Sequence, residues 1–158
     1  MKPNIRIIAV GGLKEDCLLK AEGYYLSRLK SVYNISVIEL PDEPAPDYLS
    51  AAGRQAVLAC EGRRIIGRFM PLNIKVSLAV SGRWADLSFF NKMISKAVME
   101  NRCADLIIGG SLGLSDAVLR QSDYNISLSG LTFPHRLTRL LLLEILLQLK
   151  AEGGTRDT

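Results

Sequence analysis

Apolar residues at Ile5, Ile7, Ile8 and Val10, ending on Gly11 and Gly12, predict a buried first strand closed by a turn. From Leu13 to about Lys30 the pattern changes. Leu18, Ala21, Tyr25 and Leu29 recur at three- and four-residue spacing while Lys20, Glu22, Arg28 and Lys30 take other positions, which predicts an amphipathic helix. Val37, Ile38 and Leu40 form a short strand. Pro41, Pro44 and Pro46 make residues 41–46 a loop, because proline fits neither a helix interior nor a central strand. A second helix is predicted from Asp47, a cap candidate, to about Arg64, with Ala51, Ala52, Val57, Leu58 and Ala59 along it. Asn73 to Ser81 alternates Ile74, Val76, Leu78 and Val80 with Lys75, Ser77, Ala79 and Ser81, a period of two that marks a strand ended by Gly82. Ala85 to Asn101 supplies a third helix, and Ala104 to Ile108 a short apolar strand closing on Gly109, Gly110 and Gly113. Leu114 to Gln121 is a short helix, Tyr124 to Leu128 a strand and Arg136 to Lys150 a last helix, followed by a frayed polar tail over Gly153 to Thr158.

Strands and helices alternate throughout, which is the pattern of an α/β domain with a mostly parallel sheet sandwiched by helices. The chain has 158 residues, 48% hydrophobic and 23% charged, so one domain over residues 1–158 is expected. The longest apolar stretch, Leu140 to Leu147, is interrupted by Glu144 and falls far short of the roughly 20 residues that cross a bilayer. With no apolar run before Gly11 long enough for a signal peptide, a cytoplasmic protein without membrane attachment is expected. Cys17, Cys60 and Cys103 are odd in number and widely spaced, so they read as small buried residues rather than a disulfide framework or metal site. A net charge of +4 and a pI near 9.1 permit a polyanionic partner without requiring one.

Ligands of open α/β sheets bind beyond the carboxyl ends of the strands, and two loops placed there have unusual composition. Residues 107–115, Ile-Ile-Gly-Gly-Ser-Leu-Gly-Leu-Ser, put three glycines within five residues but match neither the phosphate-binding loop nor the dinucleotide fingerprint. Residues 127–139, Ser-Leu-Ser-Gly-Leu-Thr-Phe-Pro-His-Arg-Leu-Thr-Arg, gather small hydroxyl residues, a proline, the only histidine and two arginines at a helix start. From the residues alone, Thr132 is equally a helix cap, Pro134 a first-turn residue, and His135 and Arg139 two polar positions on one helical face. The last helix is apolar on nearly every face, from Leu137 through Leu149, and is therefore expected to be covered on two sides, one of them a second subunit.

Taken together, residues 5–13 (IRIIAVGGL), the proline loop Glu39-Leu40-Pro41-Asp42-Glu43, residues 106–114 (LIIGGSLGL) and residues 127–139 with Glu144 beyond resemble the RlmH family of SPOUT-class methyltransferases. Members of that family methylate a ring nitrogen of a pseudouridine in large-subunit (23S) ribosomal RNA. The resemblance implies a C-terminal trefoil knot, a homodimer and S-adenosylmethionine as cofactor. Matched residue by residue, it assigns cofactor contacts to Leu78, Gly109, Leu128, Ser129, Gly130, Leu131, Thr132 and Phe133. His135 and Arg139 become the candidates for positioning RNA, with His135 also a proton acceptor, and Arg63, Arg64, Arg68 and Arg136 join Arg139 as phosphate contacts. The chain departs from the family where Gly12 replaces a lysine, where Ile145 and Leu147-Gln148 replace a glutamine and a Tyr-Arg pair, and at an end lacking the usual Tyr and His. A methyltransferase for another RNA and a non-catalytic homologue that binds cofactor or RNA are the alternative readings.

Overall fold

The computed structural model describes residues 1–153, with side chains described through Lys150. Five strands and five helices alternate along the chain: β1 Asn4–Val10, α1 Asp16–Leu29, β2 Asn34–Leu40, α2 Ala51–Ile66, β3 Ile74–Trp84, α3 Leu87–Met99, β4 Ala104–Ile108, α4 Asp116–Gln121, β5 Tyr124–Ser127 and α5 His135–Gly153. The strands form one sheet in the order β2-β1-β4-β3-β5, with every neighbouring pair parallel. The tail expected over 153–158 lies outside the described residues apart from Gly153, which closes α5.

Both faces of the sheet are covered, and strand periodicity divides the side chains between them. Ile5, Ile7 and Ala9 of β1 join Leu106 and Ile108 of β4 in a core with Phe90 and Met93 of α3 and Leu142, Leu143 and Leu146 of α5. Ile8, Val10 and Ile107 point the other way, against Ile65 of α2 and Val118 of α4. This two-sided burial is why β1 and β4 read as nearly continuous apolar runs. The register of β1 on β4 is pinned by charge as well as packing. Arg6 stands opposite Asp105 and grips its fully buried carboxylate with Nε at 2.7 Å and a terminal nitrogen at 2.6 Å, while Asn73 Nδ2 donates to it from 2.9 Å.

Two local expectations are corrected. Ser50, not Asp47, caps α2, its hydroxyl accepting the Gly53 N–H at 3.1 Å, because Pro46 and the turn after it keep Asp47 outside the helix. Gly82 does not end β3. The strand runs on to Trp84, with a break in register against β5 in which Leu78 and Arg83 both face Ile126. Glycine is needed there for close approach: a Cβ on Gly82 would lie 2.6 to 2.8 Å from backbone atoms of Asn125 and Ile126. Gly82→Ala is therefore expected to push β3 and β5 apart at a cost of roughly 1–3 kcal/mol, seen as a lower urea midpoint at unchanged slope.

Candidate functional site

The carboxyl ends of β3, β4 and β5 open into a cleft of about 950 Å³. Its first wall is the glycine loop after β4. Gly113 adopts φ +84°, and its N–H returns to the Gly110 carbonyl at 3.1 Å, closing a tight turn. That turn packs so closely that a Cβ on Gly109 would fall 2.3 Å from the Gly113 carbonyl oxygen. The second wall is the segment after β5. Ser127 Oγ donates to the Ser129 carbonyl at 2.7 Å, and Ser129 Oγ accepts the Leu131 N–H at 3.0 Å, so these hydroxyls hold the loop's shape. Thr132 does not cap α5, which starts at His135 with the Leu137 N–H bonded to the Pro134 carbonyl at 2.9 Å.

Of the residues expected to hold a cofactor, Leu78, Gly109, Leu128, Ser129, Leu131, Thr132 and Phe133 all line this one cleft, together with His135; Gly130 is not among its lining residues. Leu78, Ile108 and Leu128 provide an apolar floor, and the two loops bring main-chain groups to the rim, the combination that accommodates a small organic ligand. Leu131 and Phe133 stand 69% and 38% exposed at the mouth.

His135 is half-buried at the first position of α5. Its Nε2 is enclosed without a hydrogen-bond partner, 3.3 Å from the point where a Gly11 side chain would begin, with the Asp42 carboxyl 3.8 Å from the same point. Burial holds the imidazole below its ordinary titration range, the neighbouring Arg136 adds to the effect, and Asp42 partly opposes it. A lowered range favours the neutral imidazole, the form that can accept a proton.

Arg139 is placed differently from the expectation of a phosphate contact. It is 2% exposed, and its guanidinium is divided between Glu22 of α1, bonded through Nε and through Nη2 at 3.0 Å, and Glu39 of β2, bonded through Nη1 at 3.1 Å. One helical turn beyond His135 carries the side chain into the protein, where two carboxylates satisfy it. Arg64 is likewise occupied, by the Pro41 carbonyl at 2.8 Å and by Glu43, and Arg136 pairs with Glu15 at 2.8 Å. Arg63 and Arg68 are exposed, but the Arg68 carbonyl accepts from Arg6 near the amino ends of the strands, away from the cleft. Sequence reasoning gave no role to Asp42, Glu22 or Glu39, whose importance arises from contacts between distant segments. The one available signal was their place in or beside the quoted proline loop and first helix.

Residues 3–149 match the family described as "Predicted SPOUT methyltransferase". The chain is 40% identical over 142 residues to "Ribosomal RNA large subunit methyltransferase H" of Enterococcus faecalis, covering 89% of each chain. It is also 40% identical to "Ribosomal RNA large subunit methyltransferase H 2" of Caldanaerobacter subterraneus subsp. tengcongensis, covering 89% of this chain and 95% of the relative. The Clostridioides difficile protein named "Ribosomal RNA large subunit methyltransferase H" is 39% identical, with 89% of each chain covered.

Proposed function

The chain belongs to the SPOUT methyltransferase family, and from that premise we propose that it transfers a methyl group from S-adenosylmethionine to a ring nitrogen of a pseudouridine in large-subunit ribosomal RNA. The observation that carries this reading is the meeting, at one cleft, of the glycine loop, the hydroxyl-rich loop and His135. The sulfonium of the cofactor supplies an activated methyl group, so no covalent enzyme intermediate is required. Leu78, Ile108 and Leu128 would pack against its adenine, and main-chain groups of residues 109–113 and 128–133 would meet its polar edges.

The protein's remaining tasks are alignment and removal of a proton. Holding the ring nitrogen within near-attack distance of the methyl carbon lowers most of the entropic barrier. The ring N–H must also be given up. Nε2 of His135 is enclosed without a hydrogen-bond partner, next to Gly11 and the Asp42 turn. The His135 imidazole, which lines the cleft, is the acceptor for the substrate proton. The family's trefoil knot belongs to this proposal. So does a homodimer, in which a second copy covers the apolar rim formed by Leu131, Phe133 and Leu137. Among the described residues no helix is long and apolar enough to cross a membrane, and the ribosomal substrate places the proposed site of action in the cytoplasm.

The test is transfer of labelled methyl from S-adenosylmethionine to large ribosomal subunits from a strain lacking the modification, with the labelled nucleotide mapped by mass spectrometry. Label in a large-subunit pseudouridine is the expected result. Absence of label, with cofactor binding intact by calorimetry, overturns the assignment of this substrate. A second reading, action on another RNA or binding without turnover, draws on the family positions where polar groups are missing. Leu147 packs half-buried against the core, Gln148 bonds to Glu144 at 3.0 Å, and Gly12 leaves its space to the Glu39 carboxylate, which turns to Arg139. Salt-sensitive RNA binding without methyl transfer would favour that reading.

A further inference from the structure

Behind the glycine loop lies a carboxyl group that the proposed chemistry does not use. Glu61, in α2, is 3% exposed. Its Oε1 accepts the Glu43 N–H at 2.9 Å and so anchors the proline loop, while its Oε2 is buried without a hydrogen-bond partner. Gly110 of the glycine loop sits directly against it: a Cβ on that residue would lie 2.8 Å from Oε2 and 3.0 Å from Oε1. The next residue, Gly62, lets α2 come equally close to Ser115, since a Cβ there would lie 2.4 Å from the serine Oγ. Glu61 therefore fills the space between two loops that face the site from different sides. One lines the cleft, and the other carries Asp42 to His135.

We propose that Glu61 is a positioning residue that ties the glycine loop of the cofactor cleft to the turn holding Asp42 beside His135. This inference rests on the reading of the cleft as the S-adenosylmethionine site. Burial of Oε2 without a partner favours the neutral acid over the carboxylate. The charged or titratable groups around Glu61 are Asp42 and Glu43 from the proline loop and Arg64 and Cys60 from its own helix, whereas residues 107–115 of the glycine loop contain no titratable side chain. Arg64 is already engaged by Glu43, and Cys60 Sγ donates to the same carboxylate at 3.3 Å, so the nearby cation does little for Glu61. Burial raises its titration range, with Asp42 and Glu43 adding to the shift and the Glu43 N–H and Arg64 opposing it. Ionisation at higher pH would leave a buried, unpaired carboxylate oxygen against Gly110, a state relieved by separation of the two loops.

The experiment is calorimetric titration of S-adenosylmethionine into the wild type, Glu61→Gln and Glu61→Ala across pH, together with NMR titration of His135, which gives an unambiguous signal as the only histidine. Wild-type affinity is expected to fall as pH rises through the elevated carboxyl range. Glu61→Gln should hold the low-pH wild-type affinity within about twofold and flatten this dependence, because the amide reproduces the neutral acid. Glu61→Ala should weaken binding by about tenfold, the scale of one buried acceptor lost, and move the His135 titration downward as Asp42 drifts from the ring. Wild-type affinity that does not change with pH, or an alanine variant that binds and titrates like the wild type, overturns the proposal. If Glu61→Ala fails to fold, the contrast between Glu61→Gln and the wild type decides it. Failure of the wild type to bind the cofactor at any pH would instead overturn the reading of the cleft. In that event the His135 titration in Glu61→Gln and Glu61→Ala still measures the link to Asp42 on its own.

Discussion

Arg139→Ala is expected to destabilise the protein by about 3 kcal/mol, near the lower end of the cost of breaking a buried ion pair. The guanidinium joins α5 to α1 through Glu22 and to the end of β2 through Glu39, and its removal leaves the Glu22 carboxylate, whose side chain is only 13% exposed, without a counter-charge. Glu39 is 47% exposed, so water screens its share and holds the expected loss below the upper end of the range. Urea denaturation should show the lower midpoint, and the double substitution Arg139→Met with Glu22→Gln should recover part of it, because both charges are then gone together. Below its melting temperature the alanine variant should retain the wild-type salt dependence of RNA binding. A residue touching a phosphate would instead reduce the slope of log affinity against log salt by about one. A reduced slope without loss of stability would restore Arg139 to the RNA surface and sink the ion-cluster account.

His135→Ala should lower the rate of methyl transfer by about 10²–10⁴-fold, the usual contribution of a positioned base, while cofactor affinity stays near that of the wild type. The sign of the pH dependence follows from the direction of the histidine shift. The unprotonated ring is the active form, and burial lowers its titration range, so the rate should rise with pH along a limb displaced below the ordinary imidazole value of about 6.5 and then level off. Stability carries the same signature. Between the lowered folded value and the ordinary unfolded one, the unfolded chain binds the proton more readily, so folding weakens as pH falls through that window. Single-turnover assays at several pH values separate this effect from cofactor binding. Loss of the acidic limb in His135→Ala, with the residual rate independent of pH there, is the expected pattern. An unchanged rate would remove the histidine from the chemistry.

The alternation of elements and the parallel sheet were legible because β1 and β4 are buried on both faces and announce themselves as apolar runs, while α1 displays a helical period. The two cleft loops were legible for a related reason: Gly109 and Gly113 meet backbone constraints that only glycine satisfies, and such constraints leave a mark on composition. What failed to show were requirements created by distant contacts. Gly82 looked like a strand terminus because its neighbour across the sheet, Ile126, lies on the last strand. Arg139 looked like an exposed partner of His135 because four-residue spacing puts both on one face of a helix, whereas its ion partners stand 117 and 100 residues away in the chain. Asp42 and Glu61 acquire meaning only once strand order brings the end of β1 beside those of β2 and β4. Pairwise chemistry between separated segments has no local periodicity to betray it.

The sheet order also bears on how the molecule is made. β1 precedes the other strands of the sheet in the chain, yet it lies between β2 and β4, and its second neighbour ends only at Ile108. A nascent chain that has delivered β1, α1 and β2 still has the β1 edge that β4 will pair left open, and the face that Ile65 and Val118 later cover has no partner yet. β5, the edge strand beside β3, and α5, which brings Leu142, Leu143 and Leu146 into the core, come later still. Chains dominated by such long-range pairings fold slowly. Exposed strand edges in the waiting chain are the part most prone to aggregation. Arrest of translation before Ile108 should yield a polypeptide dependent on chaperones, and emergence of α5 should end that dependence.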